Sequence, residues 1–192
     1  MRIQTKVFLF FFFLWIPPLF SEEAFVKRAV DGDTLLLADE RRIRLIGVDT
    51  PELHESQKLD RDSARSKKDK KTIQALGKKA YLFTQSLVEG KPVRLEYDPT
   101  NIRNHHLDKY GRTLAYVYFY CAEEPPEYKQ IWAHFPGKIP AWKPDWMLLN
   151  ALIIQCGYGN VYTRFPYHLM EEFRQHEKDA REAQVGLWAP EE

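Results

Sequence analysis

The chain has 192 residues, 44% of them apolar and 14% aromatic, which excludes a disordered or collagen-like polypeptide and supplies enough apolar surface for one core. Its 28 Lys and Arg against 27 Asp and Glu, a formal charge of +1, exclude a uniformly basic nucleic-acid coat protein but not a local basic site. Two cysteines, Cys121 and Cys156, exclude a four-thiolate zinc site and a dense disulfide framework; they can pair in an exported protein or remain free thiols.

Residues 1–21 read MRIQTKVFLFFFFLWIPPLFS, with Arg2 and Lys6 ahead of an apolar run over 7–20 that Pro17 and Pro18 interrupt. This is the layout of a secretory signal peptide. The run is shorter than the roughly 20 residues of a membrane-spanning helix. Ser21 suits cleavage and Leu19 does not, so the chain is expected to be exported, secreted or periplasmic, or anchored through 7–20 where the segment stays uncleaved. Cleavage after Ser21 removes Arg2 and Lys6 and takes the charge from +1 to −1. Residues 22–192 are expected to form a single domain with insertions at about 53–72 and 121–144.

From Ala24 onward, AFVKRAV, the turn Asp31-Gly32, TLLLAD, a polar turn at Asp39 and Glu40, and RIRLIGV predict two adjacent hairpins. Residues 53–71 carry seven Lys or Arg, four acids and almost nothing apolar, which predicts a solvated loop or, alternatively, a basic segment that grips phosphates. A helix capped by Thr72 follows, with Leu76, Ala80, Phe83 and Leu87 as its core stripe and Gly90 as its stop. Strands return over 92–97 and 112–120, with the polar pair His105 and His106 between them. Segment 121–144 has five prolines together with Trp132, Phe135 and Trp142, which need somewhere to pack, and is expected to be an ordered excursion. Helices are expected from Pro144 to Gly157 and over 166–184, where Leu169, Phe173 and Ala180 share a face. Five strands, one helix after the third and two helices at the end predict an α+β fold, a small β-barrel with helices packed against it.

Three acids and two arginines stand out. Asp33 lies in VDGDT, and Asp49 and Glu52 lie in VDTPE. Carboxylates at the ends of adjacent strands can converge on a hard cation, to which Thr50 can add its carbonyl oxygen. Each segment alone is ordinary turn chemistry, and Asp31 before Gly32 serves such a turn. Arg44 and Arg112 are suited to bidentate phosphate binding. Residues 44 and 49 differ in parity, so a regular strand would place Arg44 and Asp49 on opposite faces; a bulge at Gly47 would bring them together.

The strings VDGDT, RLIGVDTPE and DKYGRTLAYVY, in that order, resemble the staphylococcal nuclease (thermonuclease) family, and LNALIIQCGYGNV and the terminal GLW are similar to its later helices. The resemblance covers about 24–189. It implies a five-stranded OB-type β-barrel with three packed α-helices and a Ca²⁺-dependent endonuclease that cleaves DNA and RNA and leaves 3′-phosphates. It further implies Asp33, Asp49 and Thr50 as calcium ligands, Glu52 beside the attacking water, Arg44 and Arg112 on the phosphate, and Lys109 and Tyr110 as substrate contacts. A monomer without a stable protein partner, acting on single strands by preference, is the corresponding expectation. One substrate-contact tyrosine of the family falls at Thr163, with Tyr162 beside it, and the 121–144 excursion has no family counterpart.

Two other readings compete. A non-catalytic nuclease-like module would bind single-stranded nucleic acid or a protein partner, but it has no need of all five charged site residues. A simple OB-type single-strand binder has no use for three convergent acids. Paired His105 and His106 diverge in direction and are expected to be surface loop residues, not metal ligands.

Overall fold

A computed structural model describes residues 21–66 and 69–190, so all but the last residue of the expected signal peptide lies outside the described residues. Strands β1 (Ser21–Ala29), β2 (Thr34–Leu37) and β3 (Arg42–Leu45) form the two expected hairpins, with Val26 opposite Leu37 and Leu35 opposite Ile43. β5 (Pro92–Glu96) pairs with β1 on one side and with β6 (Thr113–Cys121) on the other. The start of β6 then runs parallel to β3, with Arg44 opposite Leu114, which closes β1, β2, β3, β6 and β5 into a five-stranded barrel. Leu35, Leu37, Ile43, Leu45, Leu95, Val117 and Phe119 point inward and are buried, as alternation along half-buried strands requires. The fold is the expected α+β, OB-type one.

Its helices differ from expectation where the insertions lie. The supposed loop at 53–71 contains helix α1 (Gln57–Ser66). One residue explains it. Leu59 is fully buried, and its backbone N–H donates to the Ser56 hydroxyl at 3.1 Å, a cap at the start of the helix. Helix α2 (Lys70–Val88) starts earlier than Thr72, because Asp69 is the cap and accepts the Thr72 N–H at 3.0 Å. Its buried face is Ile73, Gly77, Ala80, Thr84 and Val88; of the expected stripe only Ala80 belongs to it, while Leu76, Phe83 and Leu87 flank it, partly buried.

Segment 121–144 is ordered, as expected, and holds helix α3 (Pro126–His134). Its Tyr128 and Ile131 are buried, and the Tyr128 ring meets Trp142 edge-on at 5.2 Å. The helix expected from Pro144 begins only at Leu149. Residues Asp145–Leu148 instead form strand β7, antiparallel to the end of β6, with Trp146 under the Arg94 guanidinium at 4.0 Å. A free edge of β6 outweighs the helical pattern there, since strand or helix is decided by what a segment can pair with. Helix α4 (Leu149–Gln155) follows and is buried along its whole length. Its Asn150 ties the barrel corner together, donating to the Ile46 and Ala115 carbonyls and accepting the Val117 N–H. Helix α5 (Met170–Glu182) is shorter than expected, with Phe173 and Ala180 buried. Cys121 and Cys156 are buried free thiols. Among the described residues no helix is long and apolar enough to cross a membrane.

Candidate functional site

The site forms where three chain segments meet at one corner of the barrel: the turn between β1 and β2, the segment after β3, and the turn before β6. Gly47 makes the second possible. Its φ of +76° breaks the pleat as expected, and a side chain there would collide with the Tyr167 ring at 2.6 Å. The next two residues form β4 (Val48–Asp49), held by a short antiparallel pairing to β8 (Asn160–Val161). Arg44 and Asp49 consequently face the same cleft, with guanidinium and carboxylate 3.5 Å apart.

Asp33 is buried beneath this pair. One of its oxygens lies 3.1 Å from the Arg44 guanidinium and accepts the Thr34 hydroxyl; the other accepts the Thr50 N–H at 3.0 Å and the Thr50 hydroxyl at 3.2 Å. Burial acts to raise its pKa, but Arg44, Lys58 and the Thr50 N–H outweigh it and hold Asp33 below its ordinary value. Asp49 goes the other way: burial, reinforced by the charge of Asp33, outweighs Lys58 and Arg44 and leaves it raised. Asp31 accepts the Asp33 N–H, the turn role expected of it, and burial together with the Asp33 charge pushes it up to about 7. The corner therefore carries more negative charge than its arginine neutralises, a field that attracts cations.

A lysine answers that field. The Lys58 ammonium lies 3.0 Å from Asp49 Oδ1 and 2.9 Å from Glu52 Oε1, and donates to the Thr50 carbonyl at 2.9 Å. Ser56 donates to the other Glu52 oxygen at 3.2 Å, so Ser56 and Lys58 together fasten the start of α1 to four oxygens of the site. Burial acts to lower the Lys58 pKa, but Asp49, Asp33 and Glu52 together hold it above its ordinary value, so it stays cationic.

Arg112 approaches from the third segment. Asp108 holds its guanidinium at 2.7 Å, and its other end donates to the Thr34 hydroxyl at 3.3 Å, one hydrogen bond away from Asp33. Lys109 and Arg112 lie over the ring of Tyr110 at 4.8 and 5.5 Å, and Tyr110 is 71% exposed. Asp33, Arg44, Asp49, Thr50, Glu52 and Arg112 are thus gathered in one network, and Lys109 and Tyr110 sit on its rim. Tyr162 donates its N–H to the Gly47 carbonyl at 2.9 Å, beside the same corner, and Thr163 is exposed. His105 is exposed, and His106 leans on the Tyr97 ring at 5.0 Å.

Whether the corner suits a cation can be judged from its donors. Among the described residues no group of three His, Cys, Asp or Glu side chains gathers at metal-ligand spacing. What does gather is a pair of carboxylate oxygens and a backbone carbonyl, around one ammonium. An all-oxygen set is of the kind a hard cation such as calcium takes, and here the Lys58 ammonium engages it.

Sequence reasoning missed three parts of this site. Lys58 was hidden in a run of similar charges, although Ser56 three residues ahead of Leu59 was a readable cap signal. Gly77 lies in mid-helix, and a side chain there would lie 2.5 Å from the Glu52 carbonyl oxygen, so its absence lets α2 press on the backbone that carries Glu52. Thr84, two turns on, donates to the Gly32 carbonyl at 2.8 Å, so one helix steadies both acidic turns.

A closed five-stranded OB-type barrel with acids and arginines at one corner defines a nuclease-like OB fold. The sequence profile described as "Staphylococcal nuclease homologue" matches residues 42–190, and the chain belongs to that family. It is 41% identical over 101 residues to the thermonuclease of Staphylococcus intermedius, an alignment covering 51% of this chain and 49% of that protein. It is 28% identical over 169 residues to an uncharacterised protein of Methanocaldococcus jannaschii, covering 85% and 70%, and 35% identical over 96 residues to endonuclease YncB of Bacillus subtilis, covering 48% and 37%. The chain spans about half the length of the thermonuclease it matches.

Proposed function

We propose that this protein is an exported, Ca²⁺-dependent endonuclease that hydrolyses phosphodiester bonds of DNA and RNA and leaves 3′-phosphates. Residues 22–192 are its single catalytic domain, and 1–21 are its export signal or membrane anchor. One observation carries the reading: Asp49 Oδ1, Glu52 Oε1 and the Thr50 carbonyl all lie within 3.0 Å of a single cationic nitrogen, and Arg44 links Asp49 to Asp33 beside them.

Asp33, Asp49 and Thr50 would hold the cation, with Glu52 at its edge. Bound calcium supplies neutralisation of phosphate charge. Glu52 orients a water for in-line attack at phosphorus or takes its proton, its carboxylate positioned by the Ser56 hydroxyl and the Pro51 turn. Arg44 and Arg112 bind the added negative charge of the transition state, and a guanidinium can also assist the departing 5′ oxygen. Asp108 fixes the Arg112 fork, which lowers the cost of ordering it when phosphate arrives. Lys109 and Tyr110 meet the nucleic acid outside the cleft, with the exposed ring available for stacking on an unpaired base, which favours single strands.

Purified protein incubated with single-stranded DNA or RNA is expected to cleave both with calcium and neither with chelator. Binding without cleavage under every metal tried would instead establish a non-catalytic module.

A further inference from the structure

The ammonium of Lys58 has three hydrogens, and three oxygens of the acidic corner take them: Asp49 Oδ1 at 3.0 Å, Glu52 Oε1 at 2.9 Å and the Thr50 carbonyl at 2.9 Å. A calcium ion binds such oxygens at about 2.3–2.6 Å. Two cations cannot share three oxygens from the same side, because they would lie almost in contact with no screening between them. Either Lys58 or a metal can hold this set, not both.

The segment that brings Lys58 buries little of itself. Among the described residues of α1, Leu59 is the one buried side chain. Its ties to the corner and to α2 include polar ones: Ser56 to Glu52, and Lys70 of α2 to Asp60 and Glu55. Ion pairs at exposed positions like those of Lys70 hold a helix only weakly.

We propose that Lys58 is a tethered competitor for the cation, so that metal binding and withdrawal of the α1 lysine are one event and the insertion sets the cation concentration at which the site fills. This rests on the calcium-dependent reading above. Lys58 satisfies the corner at low cation concentration and keeps Glu52 engaged. A divalent cation at sufficient concentration takes the Asp49 and Thr50 oxygens, releases Glu52 at its edge from the ion pair with Lys58, and leaves the ammonium in the cleft mouth. The affinity of the site is thus lowered by the equilibrium constant of the lysine contact, as for any binding-competent state that is only partly populated.

The test is calorimetric titration of calcium chloride into the wild-type protein, Lys58→Met and Lys27→Met. Lys27 pairs with Glu40 at the far end of the β2–β3 hairpin from Asp33, so its replacement removes the same charge without touching the corner. Lys58→Met is expected to bind calcium at least about tenfold more tightly than wild type, a change of about 1.4 kcal/mol, and Lys27→Met to change it less than threefold. Equal or weaker binding by Lys58→Met overturns the competitor and leaves the calcium site standing. Absence of binding to all three proteins overturns the calcium site itself, and the competitor with it. Should Lys58→Met not fold, hydrogen exchange on the wild-type protein decides: calcium must accelerate exchange of the amides over 57–66, and unchanged or slowed exchange there overturns the displacement.

Discussion

The two insertions look alike in sequence, each polar or proline-rich and without a period, yet they do opposite things. The second, over 121–144, builds outward together with the strand that follows it. It adds α3 and β7 to the outside of the barrel, buries Tyr128, Ile131 and Ile139, and none of its hydrogen bonds or ion pairs described above reaches the acidic corner. The first, over about 53–72, contributes Leu59 as the one buried side chain among the described residues of α1, and places Lys58 among the oxygens of the corner. Apolar content therefore says which insertion supports the fold, whereas a single side chain decides which one touches the chemistry. Charge counting leaves this segment as either a solvated loop or a basic grip on phosphate, and the structure commits one of its seven cations to carboxylates inside the site.

Substitutions on the two sides should separate cleanly. Glu52→Gln acts on the corner and should lower kcat by about 10²–10⁴-fold, the usual contribution of a positioned base, while leaving thermal stability near wild type. Measured kcat within about tenfold of wild type would show that Glu52 is not the group that handles the attacking water. Ile131→Ala acts on the other insertion. It removes buried volume from α3 and should cost about 2–5 kcal/mol in denaturant unfolding, with kcat/KM per folded molecule within twofold of wild type. A large fall in kcat/KM without a matching loss of stability would mean that the second insertion reaches the site after all.

Gly77→Ala tests the junction between scaffold and chemistry. A methyl group there meets the Glu52 and Pro51 backbone at 2.5–2.8 Å, and backbone gives way less easily than a side-chain tip. The expected cost is about 1–3 kcal/mol of stability, the range for overpacking. Because the displaced backbone carries Glu52, kcat should also fall, by more than Ile131→Ala lowers it. Stability lost with kcat unchanged would show that α2 supports the barrel but does not place the carboxylate.

Much of this was legible in sequence, and the unread part has a common cause. The hairpins and the Gly47 bulge that lets Arg44 meet Asp49 follow from local rules: alternation, turn residues, and a parity conflict that only a break in the strand resolves; the placing of Asp33 and Arg112 beside them is what the resemblance of the three ordered motifs implies. α1, β7 and the buried face of α2 depend on distant partners. Leu59 makes a helix because there is a place to bury it, residues 145–148 make a strand because β6 offers an open edge, and the α2 face is rotated because Gly77 and Thr84 meet the acidic turns. Lys58 was unreadable for the same reason. Among seven basic residues in a row of nineteen, sequence has no means of saying which one turns inward.

The smallest effect is expected at the surface of the first insertion. The sequence credits 53–71 with seven bases against four acids, yet the near-neutral chain as a whole is expected to show a shallower salt dependence of substrate binding than a strongly basic nuclease. Two of those bases are already engaged by carboxylates, Lys58 in the corner and Lys70 with Asp60 at 2.5 Å and Glu55 at 3.7 Å. A cation held by its own acids releases few counterions when nucleic acid arrives, because its charge is already partly cancelled. Lys70→Gln should therefore change the slope of log K against log salt by less than the roughly 0.7 that one single-strand phosphate contact contributes. A change of that size or larger would mean that Lys70 leaves Asp60 to hold a phosphate. The first insertion would then act on substrate through its surface as well as on the cation site through Lys58, and the contrast with the second would widen.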